Sequence, residues 1–285
     1  MIFSMTGFGK SVLQLPTKKV TIEVKSLNSK NLDLNTRMPS IYREKELEIR
    51  KYIANKLVRG KIDFSLYVEN TGERTSSQVN TTVVKQYMEQ LSKVSDGSEV
   101  EFLQMAVRMP DAVISEREDI DEDEWSKIFE EAKTAISALQ QYRTQEGEAL
   151  EEDFSNRCKE LVNLLQQVKD IDPERITSVR DRLQKAIDDI KDKYDENRFE
   201  QELIFYLEKY DITEEIVRLN NHLDYFKQNL NSSNSNGKKL GFICQEIGRE
   251  INTIGSKANY APMQKLVVQM KDELEKIKEQ LLNVL

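Results

Sequence analysis

Two stretches hold the residues best suited to chemistry. In DITEEIVRLNNHLDYF, residues 211–226, Ile212, Ile216, Leu219, Leu223 and Phe226 form an apolar stripe at helical spacing. Asp211, Glu215, Arg218 and His222 lie beside that stripe, and His222 is the only histidine in the chain. In QEIGREINTIGSK, residues 245–257, a second apolar stripe runs through Ile247, Ile251 and Ile254, continuing from Ile243. Glu246, Arg249, Glu250, Thr253 and Lys257 flank it directly, and Gln245, Gly248, Asn252, Gly255 and Ser256 fill the remaining arc. Carboxylates from two helices and one imidazole would make an oxygen-rich site for a hard divalent ion such as Mg²⁺ or Mn²⁺. The same residues also have bland readings. A lone histidine beside an apolar stripe is more often structural, and Glu246–Arg249–Glu250 reads equally as an intrahelical ion-pair ladder, worth about 0.2–0.5 kcal/mol per pair. Two helical glycines cost roughly 1 kcal/mol each relative to alanine. Something close to that backbone, a ligand or a subunit, is therefore expected to need the space.

Other chemistries are excluded by pattern. The chain has no Walker A loop, no GxGxxG and no GxSxG elbow, and GFGK at 7–10 is too short to cradle phosphates. Cys158 and Cys244 match no zinc or redox spacing and read as reduced thiols. A single histidine rules out ribonuclease chemistry that needs two, leaving a metal-activated water or a carboxylate–histidine pair.

The elements that must position these residues follow from periodicity. VTIEVKSLN, LDLNTRM (32–38) and KIDFSLYVEN alternate as strands, FSMTGFG (3–9) supplies another, and an amphipathic helix at 41–58 ends at Arg59-Gly60. Two short helices fall within 80–109. From about 123 to 169 helical spacing runs without proline, and Asp172-Pro173-Glu174 reads as a stop and restart, with the next helix at 173–195. That turn predicts a hairpin arm, with one pair of a compact bundle as the alternative. Helices at 198–209, 213–230 and 238–256 follow, NSSNSN interrupting the last two, and a near-heptad tail closes the chain.

The expected fold is therefore mainly α, with an N-terminal α+β domain (antiparallel sheet plus helix), a long helical hairpin arm and a C-terminal helical domain. The corresponding boundaries are 1–118, 119–196 and 197–285. No apolar run approaches a membrane span, and MIFSMTGFGK lacks the features of a signal peptide, so a cytoplasmic protein is expected. Net charge is −8 and unevenly spread. Residues 1–70 hold 13 Lys/Arg against 7 Asp/Glu, whereas 96–153 hold 5 against 18, centred on EREDIDEDE (116–124). The acidic run reads as a solvated loop and helix start. Polyanion contact falls to the basic first quarter.

Ordered along nearly the whole chain are SMTGFG (4–9), EVKSLN (23–28), LDLNTRMP (32–39), LVRGK (57–61), NRFEQE (197–202), DITEEIVRLNNH (211–222), GKKL (237–240) and QEIGREINTIGSK (245–257). This set resembles the YicC/YloC endoribonucleases. The resemblance implies a cytoplasmic homo-oligomer, a hexamer, that cuts single-stranded RNA in RNA turnover with a divalent metal, Mn²⁺ being favoured. Carried over by position, the candidates are Glu214, Glu215, His222, Glu246, Arg249, Glu250, Asn252 and Lys257, with Arg198 and Glu202 behind them. The chain departs from the family's usual pattern at Gly241, normally an acid, at Gly248, normally asparagine, and at Lys30, normally arginine.

The combined expectation places Glu246, Glu250, Glu215 and His222 around one ion, with Arg249 or Lys257 offsetting transition-state charge. RNA phosphates would meet Lys25, Lys30, Arg37, Arg59 and Lys61, with Lys238, Lys239 and Lys257 nearer the cut. The rival expectation is a non-catalytic RNA-binding or adaptor protein that assembles through its helical arms.

Overall fold

The computed structural model describes residues 2–71, 78–114, 120–188, 196–232 and 236–285. Strand β1 (Gly7–Gln14) pairs antiparallel with β2 (Lys18–Leu27), which pairs antiparallel with β4 (Gly60–Asn70). Strand β3 (Leu32–Arg37) lies beside β4 and runs parallel to it, so the sheet order is β1-β2-β4-β3 and the sheet is mixed rather than antiparallel. The physical reason is the connection. Between β3 and β4 the chain makes a 3-10 turn (Ser40–Lys45) and helix α1 (Glu46–Lys56), a crossover long enough to return the strand in the same direction.

Alternation sends Val20, Ile22, Val24, Ile62, Phe64 and Leu66 to one buried face, where they meet Tyr42, Ile49, Ile53 and Leu57 of the crossover. Helix α4 (Glu122–Asp188) completes this core with Trp125, Ile128, Ala132, Ala135, Ile136 and Leu139. It lies directly on β1. A Cβ at Gly9 would stand 2.0 Å from the Ala135 carbonyl oxygen, so only glycine permits that approach. The SMTGFG segment is thus a packing motif, and the strand expected at 3–9 begins only at Gly7. Its first residues join the far end of the chain instead. Met5 N–H donates to the Asn283 carbonyl at 2.7 Å, and Ser4 bridges Val284.

The stop expected at Asp172-Pro173 is absent, because α4 continues unbroken through Pro173. A proline inside a helix loses a hydrogen bond and crowds the preceding turn, at a cost of about 3 kcal/mol. Packing on both sides offsets it. The buried Arg175 guanidinium donates to Asp172 at 2.7 Å and to the Tyr210 carbonyl at 2.9 Å, at the end of α5 (Glu196–Lys209). Rather than forming one limb of a hairpin turned at Pro173, α4 is a spine. Its first half serves the sheet core, and Phe154, Cys158, Leu161, Leu164, Leu165 and Val168 serve the C-terminal core.

Of the acidic run, 116–119 lies outside the described residues. Glu122 and Glu124 are not simply solvated, because they pair with Lys45 at 2.6 Å and Lys18 at 3.3 Å. A small unit of α2 (Thr81–Ser92), α3 (Glu99–Ala106) and the two-residue strands β5 (Gln78–Val79) and β6 (Val113–Ile114) closes on Val84, Ala106 and Ala112. The C-terminal core is built by α4 with α6 (Thr213–Leu230), α7 (Gly237–Lys257) and α8 (Ala261–Leu281). Among the described residues no helix is long and apolar enough to cross a membrane.

Candidate nucleic-acid interface

Helix α7 starts where Asn236 caps it, its side chain accepting from Lys239 N–H at 3.1 Å. The isoleucine stripe behaves as its spacing requires: Ile243, Ile247, Ile251 and Ile254 are all buried. Two neighbours flank the stripe, α6 on one side and α8 on the other. Lys257 and Lys239 fix the antiparallel register with α6. The Lys257 ammonium donates to Glu215 Oε1 and to the Asp211 carbonyl, both at 2.8 Å, and the Lys239 ammonium lies 5.0 Å from the centre of the Tyr225 ring.

Along this seam the expected metal ligands do not converge. Glu215 is 5% exposed and faces an ammonium, while its Oε2 has no hydrogen-bond partner. Glu250 is equally buried and makes no hydrogen bond or ion pair among the described residues. The register places half-buried His222 across from the turn that carries Glu246 and Glu250, but no bond joins these three groups. Glu246 itself is exposed. Among the described residues no three Asp, Glu, His or Cys side chains are grouped to hold a metal ion. The cation beside Glu215 is Lys257, standing where a divalent ion would have to stand. The residues of one chain therefore do not fit the ion. The Glu246–Arg249–Glu250 ladder is also absent, and Arg218 pairs with Glu214 instead. Asp211 accepts from the Thr213 hydroxyl at 2.7 Å, and that bond holds its carboxyl below the usual aspartate range.

The opposite flank differs. Between α7 and α8 lies an open trough of about 570 Å³, lined by Gln245, Gly248, Arg249, Asn252, Thr253, Ser256 and Lys278. No carboxylate lines it. The guanidinium of exposed Arg249 makes no ion pair or hydrogen bond among the described residues, nor do the side-chain amides of Gln245 and Asn252. The glycines serve α8 here rather than a ligand. A Cβ at Gly248 would come 3.2 Å from Leu274, and one at Gly255 2.9 Å from Val267. Close approach brings the Lys278 ammonium within 3.6 Å of the Gly248 Cβ position. Lys278 was not singled out from the sequence. A lysine beside a heptad position carries no mark of its own, and only the α7–α8 register gives it a role.

The basic candidates of the first quarter divide similarly. Lys25, Lys30, Arg37 and Lys61 are exposed, Lys25 standing 5.7 Å over the Phe8 ring and 3.7 Å from Glu23. Arg59 is half-buried and donates to the Val284 carbonyl at 2.7 Å, so it ties the C-terminus to the sheet domain. Asn28 does likewise, donating to Leu282 at 2.6 Å, and Gly237 N–H donates to Leu285 at 2.9 Å. These bonds set the starts of α7 and the end of α8 beside the loop that carries Lys30 and, across the ladder from Leu27, Lys61. Lys238 is exposed at that same end. Glu202 is exposed on α5, and the side chain of Arg198 lies outside the described residues.

Comparison with known proteins agrees along the full length. Residues 2–152 match a family model described as "Endoribonuclease YicC-like, N-terminal region", and residues 168–285 match "Endoribonuclease YicC-like, C-terminal". A protein of Clostridioides difficile named "Probable endoribonuclease YicC" is 32% identical over 293 aligned positions, with all of both chains covered. One of the same name from Haemophilus influenzae is 28% identical, again with both chains fully covered.

Proposed function

The chain belongs to the YicC-like endoribonuclease family, and on that premise we propose that it cuts single-stranded RNA held along the α7–α8 trough, acting in RNA turnover. One observation carries the reading. The Arg249 guanidinium is exposed, unpaired among the described residues and set in a trough without carboxylates, with the Lys278 ammonium on the facing helix. A phosphodiester placed there meets two cations and two free amides, and the cations offset charge developing on its non-bridging oxygens. Glu246, exposed and one helical turn from Arg249, is the carboxylate positioned to accept the proton of the attacking hydroxyl or water. Glu250 and Lys257 are positioning residues in this scheme. Lys30 and Lys61, beside the C-terminal junction, extend the phosphate path.

Among the described residues the candidate ligands of one chain are not grouped to hold a divalent ion. The Mn²⁺ dependence implied by the resemblance, and assembly as a hexamer, belong to the proposal and are read by chelation and by light scattering. The split ligand set also favours a second reading, an RNA-binding adaptor that does not cut. Both are separated by incubating purified protein with end-labelled single-stranded RNA in Mn²⁺, in Mg²⁺ or in chelator. Shortened RNA with wild type, reduced about 100-fold or more in Arg249→Ala, supports the nuclease and its site. Retention of intact RNA under every condition supports the adaptor. Undiminished cutting by Arg249→Ala moves the site elsewhere.

A further inference from the structure

The outward side of α7 carries more than the trough. Lys238, Phe242, Gln245, Arg249, Asn252 and Ser256 recur at steps of 4, 3, 4, 3 and 4, which makes one stripe on the side away from the isoleucines. At 1.5 Å per residue it is about 27 Å long. Phe242 is its one apolar member. It is 56% exposed, and among the described residues no ring or cation packs on it. The neighbouring exposed aromatic, Tyr225 of α6, differs because the Lys239 ammonium already stands over its face.

A single exposed phenylalanine needs no explanation by itself. Gly241 beside it does. Gly248 and Gly255 are accounted for by the approach of Leu274 and Val267, whereas a Cβ at Gly241 would meet nothing within 4 Å. Glycine in a helix is less favourable than alanine, and no packing within the chain uses the space it leaves. The result is bare backbone beside an uncovered ring, on a stripe with a cation on either side and with Glu246 only at its edge. A flat aromatic ligand attached to a polyanion matches all three features.

We propose that Phe242 stacks a base of single-stranded RNA, with Gly241 leaving room for the base to lie flat and Arg249 holding a phosphate farther along the same strand. The inference rests on the RNA reading of the trough and deepens it by supplying a reason for single-strand preference. A base within a duplex presents no free face, whereas an unpaired base does.

Binding of a fluorescein-labelled oligoadenylate to the full-length protein, followed by anisotropy across a salt series, tests it. Phe242→Ala is expected to weaken binding about 10-fold with no change in salt slope, because it removes a stack and no phosphate contact. Arg249→Ala is expected to lower the slope by about one. Gly241→Gln is expected to weaken binding while leaving thermal stability the same or higher. Phe242→Trp should keep affinity and show RNA-dependent quenching above the constant emission of Trp125, the one native tryptophan, which is buried. Affinity unchanged in Phe242→Ala but lowered in Arg249→Ala overturns the stacking assignment and leaves the trough standing. Affinity unchanged in both overturns the two together. Loss of assembly in Phe242→Ala with RNA affinity intact makes the ring a subunit contact and overturns the proposal.

Discussion

The two flanks of α7 are made from similar residues and put to opposite use. Toward α6, acids are buried and the available cation is bound: Glu215 and Glu250 are each 5% exposed, and Lys257 holds both Glu215 and the Asp211 carbonyl. Toward α8, Arg249 and two amides stand unpaired beside Lys278. Buried charge with a fixed partner is expensive to rearrange, so the α6 side sets geometry. An unpaired surface cation such as Arg249 binds a polyanion by releasing its counterions, and Lys278, 3.4 Å from Glu275, adds a second positive group, so the α8 side is the one proposed to meet RNA. On the proposed reading, one helix separates the group that aligns the site from the group that would touch RNA.

Substituting the two cations breaks or sharpens that contrast most strongly. Arg249→Ala is expected to lower RNA cutting about 100-fold or more, as for loss of one preorganised transition-state donor, with stability within about 0.5 kcal/mol of wild type. Lys257→Met should do the reverse. It strands the buried Glu215 carboxylate at a cost of about 1–3 kcal/mol in unfolding free energy, and the double variant Glu215→Gln/Lys257→Met should recover most of that loss. Urea unfolding beside a cleavage assay reads both axes. If Lys257→Met abolishes cutting while its stability is untouched, the ammonium belongs to the chemistry, and the division between flanks is wrong.

Much of this arrangement could be read from periodicity. The isoleucine stripe of α7 and the Leu219–Leu223–Phe226 stripe of α6 are buried as their spacing requires, because a period of 3.6 alone decides which side of a helix meets a core. Which neighbour each flank meets was not legible. Glu215 pairs with Lys257, 42 residues farther along the chain, because α6 and α7 pack antiparallel in one register, and no local pattern encodes that register. Pro173 misled for a related reason. A local stop signal was outweighed by the contacts around the proline, where buried Arg175 bonds both Asp172 and the Tyr210 carbonyl. Parallel β3 was hidden because the segment 38–59 suits either strand direction until α1 is seen to cross over. The helical glycines mark close approach, but the approaching body at Gly248 and Gly255 is α8, whose side chains the sequence does not align with them.

The glycine positions give the next largest effects. A Cβ at Gly255 would sit 2.9 Å from Val267 Cγ1 deep in the α7–α8 contact, so α8 must shift. Gly255→Ala is expected to destabilise by about 1–3 kcal/mol despite its gain in helix propensity. At Gly248 the clash is milder, 3.2 Å to the end of Leu274, and about 1 kcal/mol of propensity gain should nearly cancel it. Gly248→Ala should therefore melt close to wild type while crowding Lys278 and weakening RNA binding. If the two variants melt alike, α8 is not held as closely along α7 as these distances require.

The smallest effect is on pH. Asp211 accepts from the Thr213 hydroxyl and N–H at the start of α6, and its carboxyl is held below the usual range by those bonds and by nearby Lys257. Because its folded-state pKa is depressed, the folded protein binds this proton less readily than the unfolded chain does. Its stabilising contribution is therefore complete above the ordinary aspartate value of about 3.9 and fades as pH falls through the lower folded value. Asp211→Asn removes the titrating group, so its melting temperature should decline less steeply than that of wild type between about pH 5 and 3. Arg249→Ala, on the other flank, should follow the wild-type acid profile. Were Asp211→Asn to track wild type throughout, the start of α6 would not be fastened by that carboxylate, and the alignment of Glu215 with Lys257 would need another anchor.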